Sequence, residues 1–329
     1  MRGSHLLRAL KRTLGWGRRQ IQVDKHNVIL ITGCDSGLGH SLAVYCHNVL
    51  QMTVVSCCHN LQSEGAHLLR QMNSPKEPHR MHTWSLDLLQ PASIELVHEQ
   101  MLKLLETNKD YQIMALVNNA GVMCFGDFEW QTAEQIEMQI NCNLLGTMRL
   151  TRQLLPLLRR QRGRIINVTS HCGLQALPSL APYAASKAAL RSWTDALRIE
   201  LQPHGMEVVN FIPGSFVMAS NIAARQQQQA QQMRENFTRE QHDYYDGYFE
   251  RFHGYLRILS GFKAPNQLRD EELLSKFKDA LTNSQPWAIY IHEPWRYRIY
   301  RYLFWISPTP LVDWLTIRFC GMPTFEDIK

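Results

Sequence analysis

The chain has 329 residues, 45% hydrophobic and 19% charged, enough to bury the core of one large domain or two small ones. Its net charge of +6 resides in residues 1–26, where Arg2, Arg8, Lys11, Arg12, Arg18, Arg19 and Lys25 face Asp24 alone (7 − 1 = +6). The other 303 residues (329 − 26) are neutral overall, which excludes a nucleic-acid-binding body, and the eight cysteines show no C-x-x-C pair and no metal-ligand spacing, so neither a disulfide framework nor a metal site is expected.

The leader places Leu6, Leu7, Leu10 and Leu14 on one helical face with Arg8, Lys11, Arg12, Arg18 and Arg19 around it. It reads as a basic amphipathic helix on an anionic membrane, as an Arg-rich mitochondrial presequence, or as a solvated, disordered tail. No apolar run in it approaches the ~20 residues that span a bilayer.

Asn27–Thr32 has the continuous apolar pattern of a strand buried on both faces. It runs into Gly33-Cys34-Asp35-Ser36-Gly37-Leu38-Gly39 and then a helix from His40 to Leu50. A strand, a glycine turn and a helix in succession form the context in which backbone approaches a pyrophosphate and a helix N-terminus stabilises its charge. The spacing is Gly-x-x-x-Gly-x-Gly, not Gly-x-Gly-x-x-Gly. A second strand, 53–57, ends where an acid ordinarily grips the adenosine ribose of NAD, but Cys58, His59 and Asn60 stand there. No Arg or Lys suited to NADP stands there either, and Asp35 would repel a 2′-phosphate. The expected cofactor is NAD in preference to NADP.

Strands at Met81–Leu86, ending in Asp87, and at Ile113–Val117, ending in Asn118-Asn119-Ala120-Gly121, flank a helix at Ala92–Glu106. One long helix is expected over Ala133–Arg159, with Asn141-Cys142-Asn143 in its middle; two amides there suit either exposure or a specific duty. A strand at 165–168 leads to Ser170, and a helix opens at Tyr183 just after Pro182. Tyr183 and Lys187, four apart, project from the same helical face. A hydroxyl, a phenol and an ammonium in one crevice suit proton transfer at a carbinol or carbonyl oxygen, with Lys187 lowering a phenol pKa that is ordinarily ~10. None of them accepts hydride, so a cofactor is required. Strand Glu207–Phe211 closes on Pro213-Gly214, completing the alternation of a doubly wound α/β sheet.

Beyond it, 225–232 holds six glutamines, and Tyr244, Tyr245, Tyr248, Phe249, Phe252 and Tyr255 form an aromatic stripe on a helix. The stripe is read either as core or as part of a helical substrate lid over 216–284. Residues 286–329 form an aromatic, partly basic C-terminal segment, with Pro308 and Pro310 breaking its apolar stretch, suited to a membrane surface or to substrate access.

Thr-Gly-x-x-x-Gly-x-Gly at 32–39, Asn-Asn-Ala-Gly at 118–121, Asn143, Ser170, Tyr183-x-x-x-Lys187 and Pro213-Gly214 follow the order and spacing of the short-chain dehydrogenase/reductases, which the chain resembles over residues 27–215. Thr-Gly-Cys-Asp-Ser-Gly-Leu-Gly resembles the retinol and hydroxysteroid dehydrogenase branch, and within it the insect steroid-hormone enzymes. The resemblance implies a single Rossmann-type domain (27–285) transferring hydride between a nicotinamide cofactor and an apolar secondary alcohol or ketone, a steroid or retinoid. It implies that Tyr183 is the acid/base, Lys187 its partner and a ribose ligand, Ser170 the holder of the substrate oxygen, and Asn143 the positioner of a water. Gly33, Asp35, Ser36, Gly37, Leu38, Gly39, Cys58, His59, Asp87, Asn118, Ala120, Gly121, Pro213 and Gly214 would lie along the cofactor. Ser215 stands near where relatives carry a Thr. The expected setting is a membrane surface, of the endoplasmic reticulum or of mitochondria, with a homodimer as a further expectation. The rival readings are a non-catalytic nucleotide-binding scaffold and a membrane-tethered lipid carrier.

Overall fold

The structure, a computed structural model, describes residues 13–73, 79–214, 221–260, 268, 270–323 and 325. Its strands are β1 (Asn27–Thr32), β2 (Thr53–Cys58), β3 (Met81–Ser85), β4 (Gln112–Asn118), β5 (Arg164–Val168), β6 (Glu207–Ile212) and β7 (Ile289–Ile291). They form one all-parallel sheet in the order β3-β2-β1-β4-β5-β6-β7. The described helices are α1 (Gly37–Asn48), α2 (Glu64–Gln71), α3 (Pro91–Thr107), α4 (Ala133–Ile140), α5 (Thr147–Arg160), α6 (Ala181–Leu201), α7 (Gln226–Glu235), α8 (Arg239–Ser260), α9 (Glu271–Thr282), α10 (Trp295–Ile306) and α11 (Thr309–Cys320). Strand order reverses between β1 and β4, and a crevice opens there at the carboxyl ends of the strands.

Alternation along the strands sorts the core into two layers. Ile29 and Ile31 pack with Leu42 of α1 and Phe277 of α9 on one face, while Val28 and Leu30 meet Val97 of α3 and Leu154 of α5 on the other. Both faces are therefore covered, which is why β1 reads as an unbroken apolar run. The eight cysteines are free thiols, and Cys34, Cys46, Cys57, Cys58 and Cys124 are buried.

Three expectations are corrected. The helix expected over 133–159 is interrupted by a π-helical segment at Asn141–Gly146, a wider turn that reorients Asn143. The domain expected over 27–285 takes in part of the segment expected from 286, because β7 pairs with β6, placing Asn210 opposite Ile289. The end of the leader is docked and is not a free tail. Arg18 pairs with Asp279 and lies 4.2 Å from the Trp287 ring, and Gln20 bridges to Asn283. One of the seven leader cations is thus spent inside the fold. Leu6, Leu7 and Leu10 lie outside the described residues.

Three of the six residues in the aromatic stripe of α8 are core, while Tyr244 and Tyr255 are exposed. Tyr248, Phe249 and Phe252 are buried against Trp130, with ring centroids 5.1, 5.2 and 5.5 Å away. Of the stripe, Tyr255 reaches the cavity described below.

Candidate active site

The glycine turn is shaped by close approach. Gly33 adopts φ +71°, and a Cβ there would lie 2.8 Å from the Ala120 backbone. At Gly39 a Cβ would meet the Gly33 carbonyl oxygen at 2.2 Å, so the first turn of α1 presses directly on the loop. Thr32 ties this loop to β4: its hydroxyl accepts from the backbone N–H of Asn119 (3.0 Å) and Ala120 (2.9 Å). Asn119 returns the contact, donating from its side chain to the carbonyls of Thr32 (2.9 Å) and Gly33 (3.2 Å). Ser36 caps α1 without a side-chain hydrogen bond, and no acid occupies the first turn. The orphan amides of α1 are left for an anion, and the glycine cradle lets one approach; the residues fit the pyrophosphate of a dinucleotide.

A cavity of about 1290 Å³ runs from this cradle across the strand ends to the C-terminal helices. That exceeds the ~300–1,000 Å³ of a site for one small molecule and suits a cofactor with a substrate beside it. Gly33, Asp35, Ser36, Leu38, His59 and Asp87 line one end; Ala120, Gly121, Ser170, Tyr183, Lys187, Pro213 and Gly214 line the middle. Gly214 holds φ +97°, a conformation that turns the chain at the end of β6. Ser215 lies outside the described residues.

Ser170, Tyr183 and Lys187 do converge. Ser170 follows β5, and its hydroxyl accepts from the Cys172 N–H (3.2 Å) while hydrogen-bonding toward Tyr183. One turn along α6, Lys187 is buried with Nζ donating to the Val168 carbonyl (3.1 Å) and standing 5.9 Å from the Tyr183 ring centroid. The expected electrostatics are reversed, however. Burial pushes the Tyr183 phenol well above its ordinary value, Cys172 adds to this, and only the Ser170 hydrogen bond opposes it. Burial likewise lowers Lys187 from 10.5 to about 8. The phenol is thus protonated in the free protein, because burial disfavours the charged phenolate.

Three further residues expected at the site do not line the cavity. Cys58 ends β2 with its side chain fully buried in the core, away from the cavity. Asn118 is also buried and donates to Thr151 (3.0 Å) and Asn167 (2.8 Å), fastening β4 to β5 and α5. Its neighbour Asn119 is the one that reaches the cavity. Asn143, fully buried, clamps Val122 through that residue's N–H (2.7 Å) and carbonyl (2.9 Å) and donates to Ser186 (3.0 Å). Its amide supports the cavity wall; both donor hydrogens are committed to protein groups.

The C-terminal helices, read from the sequence as suited to a membrane surface or to substrate access, supply a wall of the cavity. Tyr297, Tyr300, Arg301, Phe304 and Phe319 line the cavity. Glu293, with a side chain only 3% exposed, accepts from Arg301 (2.8 and 3.2 Å) and from His171 (3.0 Å), the residue after Ser170. Burial works to raise the Glu293 carboxyl, but hydrogen bonds from Arg301 and His171 outweigh it and hold the group below 4.5. Tyr297 packs edge-on to His171 at 5.6 Å, closing the joint between α10 and the Ser170 loop. Nothing local marks Glu293 in the sequence; an isolated acid among aromatics is the single cue.

A parallel sheet with a glycine cradle at its switch point, opening into a cavity that holds a buried Tyr-Lys pair, defines a doubly wound nucleotide-binding protein. The chain belongs to the short-chain dehydrogenase family, whose model matches residues 27–230. It is 34% identical over 202 residues to D-beta-hydroxybutyrate dehydrogenase, mitochondrial, of Rattus norvegicus, covering 61% of this chain and 58% of that one. It is 34% identical to 17-beta-hydroxysteroid dehydrogenase type 2 of Homo sapiens (63% and 51% covered) and 36% identical to retinol dehydrogenase 5 of Mus musculus (57% and 56%). A solved short-chain dehydrogenase from Streptomyces avermitilis superposes with TM-score 0.52 at 28% identity, covering 59% of this chain and 67% of that one. The matches span just over half the length of these curated relatives.

Proposed function

We propose that the protein interconverts an apolar secondary alcohol and its ketone, of the steroid or retinoid class, with a nicotinamide cofactor. The observation that carries this reading is one cavity joining the glycine cradle, the Ser170–Tyr183–Lys187 group and an aromatic outer wall. The cofactor, when bound along Gly33–Gly39, Asp87, Ala120–Gly121 and Pro213–Gly214, supplies the hydride donor or acceptor. Ser170 holds the substrate oxygen through its hydroxyl. The Tyr183 phenol donates its proton to a ketone oxygen and is left as phenolate; in the reverse direction the phenolate, formed by prior loss of that proton, takes the alcohol proton. Lys187, held on the Val168 carbonyl, presents an ammonium beside both. Leu174, Leu177, Ile222, Phe304 and Phe319 exclude water around an apolar body.

The same helices support a membrane-surface setting. Trp295 (70%), Trp305 (83%), Ile306 (68%) and Trp314 (57%) are exposed on α10 and α11, with Arg296 and Arg298 exposed among them, and Trp305 also lines the cavity. Aromatic and aliphatic side chains interleaved with arginine suit a lipid headgroup boundary. No helix among the described residues is long and apolar enough to cross a membrane.

The test is turnover by the purified chain with NAD or NADP and a panel of steroids, retinoids and 3-hydroxybutyrate. Turnover confined to 3-hydroxybutyrate refutes the apolar substrate class. Nucleotide binding with no turnover of any alcohol establishes the non-catalytic scaffold instead.

A further inference from the structure

We infer that Asp35 selects an unphosphorylated adenosine ribose by occupying, with its own carboxylate, the backbone amides that would otherwise receive a 2′-phosphate. The inference rests on the nicotinamide-cofactor reading above and goes beyond it to a specificity determinant. In open α/β sheets the residue that reads the ribose normally stands at the end of the second strand. Here that strand ends in Cys58, which is turned into the core. A carboxylate nevertheless reaches the same place, from the glycine loop. Asp35 accepts from the backbone N–H of His59 and of Asn60, each at 2.8 Å, one on each oxygen, and stands 3.4 Å from the Ser63 hydroxyl.

Consecutive N–H groups of a turn are a general anion site. A phosphate bound there would need these two donors, and Asp35 holds both. It would also bring roughly 1.5–2 negative charges against a fixed carboxylate. The polar lining at that end includes Asp35, Ser36, His59, Asn60, Ser63 and Asp87, two acids and no lysine or arginine among the described lining residues; Arg70 lies outside it, donating to the Leu61 carbonyl. His59 faces Asp87 at 4.0 Å. Asp35 is also held in place: a Cβ at Gly65, in the first turn of α2, would lie 2.1 Å from the Asp35 carbonyl oxygen. Helix α2 therefore backs the loop at the Asp35 backbone, while the carboxylate itself is held by the His59 and Asn60 amides. A ribose 2′-hydroxyl, by contrast, can donate to an oxygen lone pair that the amides leave unused.

The experiment is calorimetric titration of the full chain with ADP-ribose and with 2′-phospho-ADP-ribose, in wild type, Asp35→Asn and Asp35→Ser. Amide exchange at His59 and Asn60 is followed alongside. Wild type is expected to bind ADP-ribose at least tenfold more tightly than its 2′-phosphate. Asp35→Asn should narrow that ratio at least fivefold through gained affinity for the phosphorylated probe. Asp35→Ser should narrow it further, with the two amides exchanging faster until that probe binds and protects them. A ratio unchanged in both variants, with affinity for both probes falling in parallel, makes Asp35 a structural latch and overturns the inference. Wild-type preference for the 2′-phosphate overturns it as well. Binding of neither probe by wild type overturns the cofactor reading itself, a distinguishable failure. Should Asp35→Ser not fold, the isosteric Asn variant and the wild-type ratio decide the question.

Discussion

Replacing Glu293 by alanine tests whether the C-terminal helix and the Ser170 loop act as one unit. The substitution removes a carboxylate that is 3% exposed and accepts from both Arg301 and His171. Breaking a buried charged pair costs ~3–5 kcal/mol when the remaining charge stays buried. The Arg301 side chain is 35% exposed and can recover water, so the expected cost falls to about 1.5–3 kcal/mol. At ~2–4 °C per kcal/mol for a domain of this size, Tm should drop by roughly 3–12 °C. Kinetics should show which part is lost. With α10 loosened, KM for an apolar alcohol should rise about tenfold, equivalent to ~1.4 kcal/mol, while KM for the cofactor stays unchanged. Glu293→Gln, which keeps the shape and an acceptor, should lie between. Because the folded carboxyl is held below the ordinary 4.5, the clamp is intact above that pH and is lost as pH falls through the lower folded value. A wild-type melting curve together with wild-type kinetics in the alanine variant would refute the coupling.

Other consequences are equally direct. Tyr183→Phe should abolish turnover and leave nucleotide affinity nearly intact; a tenth of wild-type kcat, about 1.4 kcal/mol of barrier, would be too much residual activity for the assigned role. Lys187 is held at about 8, so its ammonium is present below that pH, and nucleotide affinity should weaken as pH rises through 8 in wild type and not in Lys187→Arg. His82 and His253 are held by burial at about 4 against 6.5 in the unfolded chain. The unfolded state takes up those protons first, so stability should fall between pH 6.5 and 4 by on the order of 2–3 kcal/mol for each imidazole, read from urea midpoints. Gly39→Ala forces a Cβ to 2.2 Å from the Gly33 carbonyl oxygen; it should cost about 1–3 kcal/mol and eliminate nucleotide binding, and calorimetry showing normal affinity would contradict the cradle. Replacing Trp295 and Trp305 by serine should release the protein from anionic vesicles, and vesicle binding that survives both changes would move the anchor elsewhere.

The sequence by itself determined what short-range rules govern. Alternating apolar strands and helices dictated the doubly wound sheet, glycines at 33, 37 and 39 marked the anion cradle, and four-residue spacing put Tyr183 and Lys187 on one face of α6. These depend on backbone sterics and helical period, which a reader can count. Only the tertiary structure decided matters of orientation and long-range contact. Strand parity sent Asn118 into the core and left Asn119, its identical neighbour, for the glycine loop. A π-helical turn gave Asn143 to Val122, a choice invisible in a pattern that also fits a regular helix. Desolvation, a property of surroundings and not of spacing, raised the Tyr183 phenol. Residues 122 positions apart, His171 and Glu293, met because β7 returned the chain to the sheet edge and α10 followed it back over the cavity. That return is set by the burial of apolar faces from distant segments, which no window along the chain contains.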